Sequence, residues 1–443
     1  MQTKRRLILF VIAFIVAFGF LTIADPLFAA SKEKVLYSFN SNGKGGYRPD
    51  GSLIFDGAGN LYGTAPIGGL GCSGCGTVFE LTRGANGKWK EEVLHSFNDN
   101  GTDGYSPVAS LTFDAAGNLY GTTLNGGSNC LQSNYGCGTV FELMPGPGGI
   151  WTEKVLYDFC GTGYGDCTDG SVPEAALIFD ATGNLYGTTA AGGEYSPYCL
   201  YQCGTVFKLA PGTDGTWIET VLYSFKGGTD GYSPQAGLVF DAAGNLYGTT
   251  SGGGGTGCSG YGCGTVFQLT PGTNGNWTET VLHSFQDNGK DGVFPYANLI
   301  FGGAGNLYGT TASGGSGAHH DGTAFQLTPG GNGTWTEKVL HTFSGLDPGK
   351  DGGMPRAGLV LDAAGSMYGT TWEGGTSGYG TVFQLTPGTN GQWKEKVLHS
   401  FPYNNQDGNS PLAGVILDSV GNLYGTTEWG GAHSSGTVFE VTP

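Results

Sequence analysis

Short apolar runs of strand length, each bounded by glycine, asparagine, aspartate or proline, recur from about Glu33 to Pro443. No stretch in that region keeps the 3.6-residue period of an amphipathic helix, so the pattern predicts strands joined by tight turns. The runs come in sets of four. A GNLYGT string begins at Gly59, Gly117, Gly183, Gly244, Gly305 and Gly421, with GSMYGT at Gly365. The spacings are 58, 66, 61, 61, 60 and 56 residues. GTVF begins at Gly76, Gly138, Gly204, Gly264, Gly380 and Gly436, with GTAF at Gly322. VLYSF, VLHSF or a close variant ends at Phe39, Phe97, Phe159, Phe225, Phe285, Phe343 and Phe401. In the fourth unit the four predicted strands are A (Ala236–Asp241), B (Asn245–Thr250), C (Gly264–Thr270) and D (Asn276–Phe285). Asn-Gly and Asp-Gly pairs between C and D suit turns that require positive φ.

Four strands per unit of this length match a propeller blade. The repeat begins with a lone D strand, Glu33–Phe39, and ends with a C strand, Gly436–Thr442. The first strand therefore completes the last blade, which removes the free edges that an open array would expose. The expected fold is all-β: one seven-bladed β-propeller over residues 31–443, four antiparallel strands per blade, closed by its N-terminal strand.

These repeats resemble the Gloeo-Verruco, or GloVer, tandem-repeat family of exported bacterial proteins, in all seven units. The resemblance implies export and a repeat architecture without a common enzymatic activity. It also implies a C-terminal anchor, whereas this sequence ends at Val441-Thr442-Pro443, leaving the mode of attachment open. The strand order is similar to that of NHL-type propellers, an analogy of fold only.

Glycine supplies 86 of 443 residues, yet aromatics reach 12%, which excludes collagen and argues against disorder. The net charge of −17 excludes the cationic surface that nucleic acids require and disfavours anionic membranes. Lys4-Arg5-Arg6, an apolar run from Leu7 to Ile23 and Phe28-Ala29-Ala30 read as a signal peptide over residues 1–30. An uncleaved anchor is the alternative, and would be the only membrane contact. The mature chain is expected to be secreted, periplasmic or at the cell surface, and monomeric.

Alternating strand direction puts A–B and C–D turns on one face, and the B–C and D–A loops on the other, around the channel mouth. The B–C loops are longest in blades 2 to 4 and shortest in blades 6 and 7, predicting a wall and a low side. Cys72/Cys75, Cys130/Cys137, Cys199/Cys203 and Cys258/Cys263 lie in B–C loops, and Cys160/Cys167 in a D–A loop. In an exported chain five local disulfides are the natural reading. Zinc knuckles are the alternative, and Cys72-Ser-Gly-Cys75 lacks the helix a redox motif needs.

Six of the eight tryptophans start D strands, a packing slot. The other two, Trp372 and Trp429, follow strand B in blades 6 and 7, beside Glu373 and Glu428. Aromatic faces that stack on sugar rings, with carboxylates that accept hydroxyl hydrogen bonds, suggest a ligand site for a polysaccharide or an extracellular protein; filling of space is the structural alternative. Glu373 and Glu428 are also the carboxylates that glycoside hydrolysis would use. Asp103, Asp169, Asp230, Asp291, Asp351 and Asp407 each open an Asp-Gly-x-x-Pro element, with Gly45 in the first unit. They are expected to ring the channel mouth, as Ca²⁺ ligands or, more simply, as turn formers. His319, His320 and His433 lie in mouth loops of non-adjacent blades, a weak metal signal. No P-loop, HExxH or GxSxG motif is present, so no cofactor is required and a non-enzymatic recognition propeller leads. A carbohydrate-active enzyme and a purely structural surface component are the alternatives.

Overall fold

The computed structural model describes residues 31–72, 74–128, 137–161, 167–199, 202–317, 319–345 and 351–443. The signal-peptide reading of residues 1–30 lies outside them. Seven four-stranded antiparallel sheets follow one another, each in the order A-B-C-D. In blade 4 these strands are Val239–Phe240, Leu246–Thr250, Thr265–Pro271 and Trp277–Ser284. Strand A is thus shorter than its apolar run suggests. The residues before it follow Pro234, which has no N–H to donate, and they line the propeller axis instead. The remaining regular structure is short 3₁₀ turns and two-residue ribbons in which D–A loops pair with the segment after strand B, as in Gly46–Tyr47 with Ile67–Gly68.

Closure occurs as the repeat order predicts. Lys32–Ser38 pairs antiparallel with Thr437–Thr442, from Lys32 opposite Thr442 to Ser38 opposite Thr437. The core is divided into seven layers between blades rather than gathered at one centre. In each, the phenylalanine that ends strand D meets edge-on the phenylalanine of the next blade's strand C. Phe97 and Phe141 stand 5.1 Å apart, Phe225 and Phe267 5.1 Å, and Phe39 and Phe79 5.0 Å. The last of these pairs joins blade 7 to blade 1. The D-strand tryptophans complete the layers, as where Trp151 of blade 2 stands 6.4 Å from Tyr62 of blade 1. Inside the blades, threonine pairs lock strand B to strand C, for example Thr250 and Thr265 with hydroxyls 2.8 Å apart. In blade 1 the partner is Ala65, and the Thr77 hydroxyl is left without one.

At the rim each blade junction holds a second, polar layer. The aspartate of Asp-Gly-x-x-Pro does not reach the channel mouth, contrary to expectation. It folds back on the outer D strand that precedes it. Asp169 accepts from the Tyr157 hydroxyl at 2.9 Å and Asp230 from that of Tyr223 at 3.1 Å. Asp103, Asp291, Asp351 and Asp407 instead meet His95, His283, His341 and His399. One aspartate therefore serves each of six junctions, which cannot share an ion; at the seventh, where Gly45 takes its place, the Tyr37 hydroxyl donates to Glu91 at 2.9 Å. The D strand of the next blade adds a glutamate. Glu219 sits by Asp169, and burial together with that carboxylate pushes its pKa up to about 8. Burial and Asp230 hold Glu279 at about 7.

These two glutamates titrate near 4.5 when the chain is unfolded, so the folded state holds their protons more tightly. Their junctions are at full strength below about pH 4.5 and lose stability as pH rises toward 8. Allowing for the solvent that still reaches the rim, the loss is about 2 kcal/mol for Glu219. Glu219→Gln, which cannot ionise, is expected to flatten the fall in stability between pH 5 and 8.5. Urea unfolding at both pH values measures this; an unchanged pH slope would show that Glu219 does not hold its proton in the fold.

Disulfides join Cys72–Cys75, Cys160–Cys167, Cys199–Cys203 and Cys258–Cys263, as the local spacing predicts. The fifth expected pair, Cys130/Cys137, is described at one end only. Cys137 is buried and disulfide-bonded, while Cys130, the partner that the sequence assigns to it, lies outside the described residues. Among the described residues no cysteine is a free thiol, which leaves none to ligate zinc as a knuckle.

Candidate functional site

The seven Asp-Gly-x-x-Pro-type loops share a backbone device that decides what faces the axis. The residue before each proline is left-handed: Arg48, Ser106, Val172, Ser233, Phe294, Met354 and Ser410 have φ between 54° and 61°. Such a conformation is uncommon for a residue with a side chain, and most of all for β-branched Val172. It reverses the chain after the rim aspartate, so that the residue after the proline enters the channel.

Those residues are Asp50, Val108, Glu174, Gln235, Tyr296, Arg356 and Leu412, one from each blade, and all line a single axial cavity. Its wider part, ≈ 370 Å³, is bounded by Val108, Glu174, Gln235, Tyr296 and Arg356. Below them the ring narrows to the small residues that follow, tied between blades by bonds such as Ser52 N–H to Ser110 Oγ at 2.8 Å. The sequence does carry a signal for this ring. In a repeat whose neighbouring proline is constant, this one position differs in all seven units.

The mouth is electrostatically uneven. Burial raises the Glu174 carboxyl to about 7, partly opposed by a hydrogen bond from Gln235. Asp50 is also held at about 7, by burial and by Glu428, against the pull of Arg48. Asp50 Oδ1 is buried without a hydrogen-bond partner.

Trp372 and Glu373 are joined to this ring through Arg356. The Arg356 guanidinium stands 5.1 Å from the Trp372 ring and 5.8 Å from that of Tyr296. Glu373 is raised by burial and Asp321, while Arg356 draws it down. Trp429 takes a different arginine: Arg48 lies 3.3 Å over its ring. Glu428 and Trp429 thus border Asp50. The two tryptophans are half-buried, each with its own cation, and each adjoins a different part of the channel wall. The Trp372 indole N–H is buried without an acceptor. His320 is engaged locally, its Nδ1 3.1 Å from the Gly315 carbonyl oxygen.

Chemically, the mouth presents an exposed guanidinium, a phenol and two carboxyl groups poised near neutrality, with the half-buried Trp372 ring behind the guanidinium. That set can both donate to and accept from a ligand rich in hydroxyl groups.

The Gloeobacter/Verrucomicrobia repeat family matches residues 19–201, 183–347 and 315–443. No curated protein matches the chain. Among solved structures the chain is similar to a novel fungal alcohol oxidase of the AA5 family in complex with copper. The two are 14% identical with a TM-score of 0.49, over 94% of this chain and 77% of that one.

Proposed function

This protein belongs to the Gloeobacter/Verrucomicrobia repeat family, and we propose that it is a non-enzymatic recognition propeller acting outside the cytoplasm. It binds a hydroxyl-rich polar ligand, best met by a polysaccharide, at the mouth of its axial channel. The observation that carries this reading is the axial ring itself. The proline before each position recurs in every unit, yet the ring holds seven different side chains, among them an acid pair, a phenol and a guanidinium. Packing alone has no need of such variety; recognition does. Arg356, Tyr296 and Trp372 form the aromatic and cationic wall, while Asp50 and Glu174 accept ligand hydroxyls. Glu373, Glu428 and Trp429 flank them. Local disulfides fit an oxidising compartment, and secretion after removal of residues 1–30 belongs to the same reading.

A carbohydrate-active enzyme is the second reading, favoured by two carboxyl groups held near neutrality in one cavity, where a general acid could operate.

Residues 31–443 should bind to a broad glycan array. An Arg356→Ala/Trp372→Ala variant with an unchanged melting temperature should lose at least ten-fold in affinity, about 1.4 kcal/mol. Binding by the parent that survives in the variant would move the site elsewhere, and no binding by the parent would sink the polysaccharide reading and turn the search to protein partners. Reducing ends released from a bound glycan would replace recognition by hydrolysis.

A further inference from the structure

Three of the rim junctions differ from the rest. His95, Asp103 and Glu153 form one group, His283, Asp291 and Glu337 a second, and His399, Asp407 and Glu33 a third. In each, one imidazole nitrogen and two carboxylate oxygens all lie within 4.8 Å of one another. Histidine and aspartate come from the end of one blade, and glutamate from the D strand of the next. The groups recur at spacings set by the repeat, so their geometry is shared.

Each group also contains oxygen atoms that nothing satisfies. Asp103 Oδ1 and Glu153 Oε1 are buried with no hydrogen-bond partner, and so are Asp291 Oδ1 with Glu337 Oε1, and Asp407 Oδ1 with Glu33 Oε1. The three aspartates are 7%, 8% and 8% exposed. Two carboxylates facing each other in a buried seam, each with an idle oxygen, are costly when both are charged. A shared proton or a bound cation removes that cost; the same idle pair recurs at Asp169 with Glu219 and at Asp230 with Glu279, so the histidine nitrogen is what sets these three groups apart.

The histidine ring is already oriented to help. His Nε2 lies 3.3, 3.1 and 2.9 Å from aspartate Oδ2 in the three groups. The adjacent strand-end phenylalanines pack edge-on against the imidazoles, at 4.6 Å for Phe97 and 4.7 Å for Phe285 and Phe401. That packing fixes the ring plane so that its nitrogen points into the seam.

We propose that these three His-Asp-Glu seams are binding sites for divalent transition-metal ions, one ion per seam, each stapling two neighbouring blades. A donor set of one imidazole and two carboxylates suits ions such as Zn²⁺ or Mn²⁺ and matches a charge of two. A ligand distance of about 2 Å requires donor separations of roughly 3–4 Å, which small side-chain rotations supply. Imidazole and carboxylate bind metal only when deprotonated, so affinity rises with pH.

The other junctions mark the limits of the proposal. Where Tyr37, Tyr157 and Tyr223 replace histidine, the nitrogen donor is gone. In the fourth histidine junction Asp351 Oδ1 is already taken, by the Ser344 hydroxyl at 2.6 Å and the Ser344 amide at 3.0 Å. The count should therefore be three.

The test is equilibrium dialysis of residues 31–443 against Zn²⁺ at pH 7.5, with bound metal measured by mass spectrometry. Three ions per chain are expected, with a Zn²⁺-dependent rise in melting temperature. His283→Tyr copies the residue that the protein itself uses at three junctions, so the fold should survive and the count should drop to two. Replacing His95, His283 and His399 together by tyrosine should abolish stoichiometric binding. Glu337→Gln, which keeps the histidine, should also remove one ion and provides the reading if the tyrosine variants fail to fold. Fewer than one ion bound by the parent would overturn the proposal. So would a count that none of these variants changes, since the ions would then sit elsewhere, for example at the exposed loop histidines.

Discussion

Deleting residues 31–39 should open the ring and leave no monomeric folded protein. Strand Lys32–Ser38 is the whole fourth strand of blade 7, and without it Thr437–Thr442 becomes an exposed edge. Leu36 and Phe39 leave the layer that contains Leu53, Leu61, Phe79 and Val438. Phe39 is fully buried there and stacks edge-on to Phe79, so the break strikes the one layer that joins last blade to first. Burial of each large apolar side chain contributes roughly 1.5–3 kcal/mol, and the unpaired edge is an additional aggregation hazard. Light scattering of the deleted chain should show aggregates. A circular permutant carrying residues 31–40 after Pro443 should be monomeric with a melting temperature close to the parent's. A deleted chain that stays monomeric and melts unchanged would mean that the first strand does not close the ring.

The second large effect belongs to a single methyl group. Gly248 lies in strand B, where a Cβ would stand 2.6 Å from Phe267 Cζ and 3.1 Å from Leu238 Cδ2. Phe267 is fully buried, and its far side is held by Phe225 at 5.1 Å, so the ring has no free direction in which to move. Gly63, Gly121, Gly187, Gly309, Gly369 and Gly425 meet the equivalent phenylalanines at 2.6 to 2.7 Å. Gly248→Ala should therefore destabilise the protein by about 3 kcal/mol, at the upper end for overpacking. Adding Phe267→Leu should restore part of the loss, since it removes the atom in the way. Urea midpoints for the two variants check this. If Gly248→Ala costs less than about 0.5 kcal/mol, the blade interior is looser than its spacing implies.

The tightness of that position explains why the repeat keeps glycine after tyrosine in all seven units; blade number and closure are legible without coordinates from the repeat period itself. The period, the turn residues and the apolar runs are local properties, and each unit repeats them. The tryptophan slot at the start of strand D is legible for the same reason: six occupants in one register have one packing role, and the inter-blade layers bear that out.

What the sequence could not decide is which side of each D–A loop meets the axis. The Asp-Gly-x-x-Pro string looks as though its aspartate should reach the mouth. The left-handed residue before the proline turns the chain, so Asp103 stays at the rim with His95 while Val108 enters the channel. The same holds for Asp169 with Glu174 and for Asp351 with Arg356. Nor could the pairing of Trp372 with Arg356, or of Trp429 with Arg48, be read from spacing. Arg48 and Trp429 are joined only by ring closure. The junction glutamates were silent in the repeat because each finds its histidine or tyrosine on a different blade. Local chemistry and repetition determined the fold of this protein. Apart from the Arg356–Trp372 pair within blade 6, the sites arise where blades meet, from residues about sixty positions apart or at opposite ends of the chain, and only the closed ring brings them together.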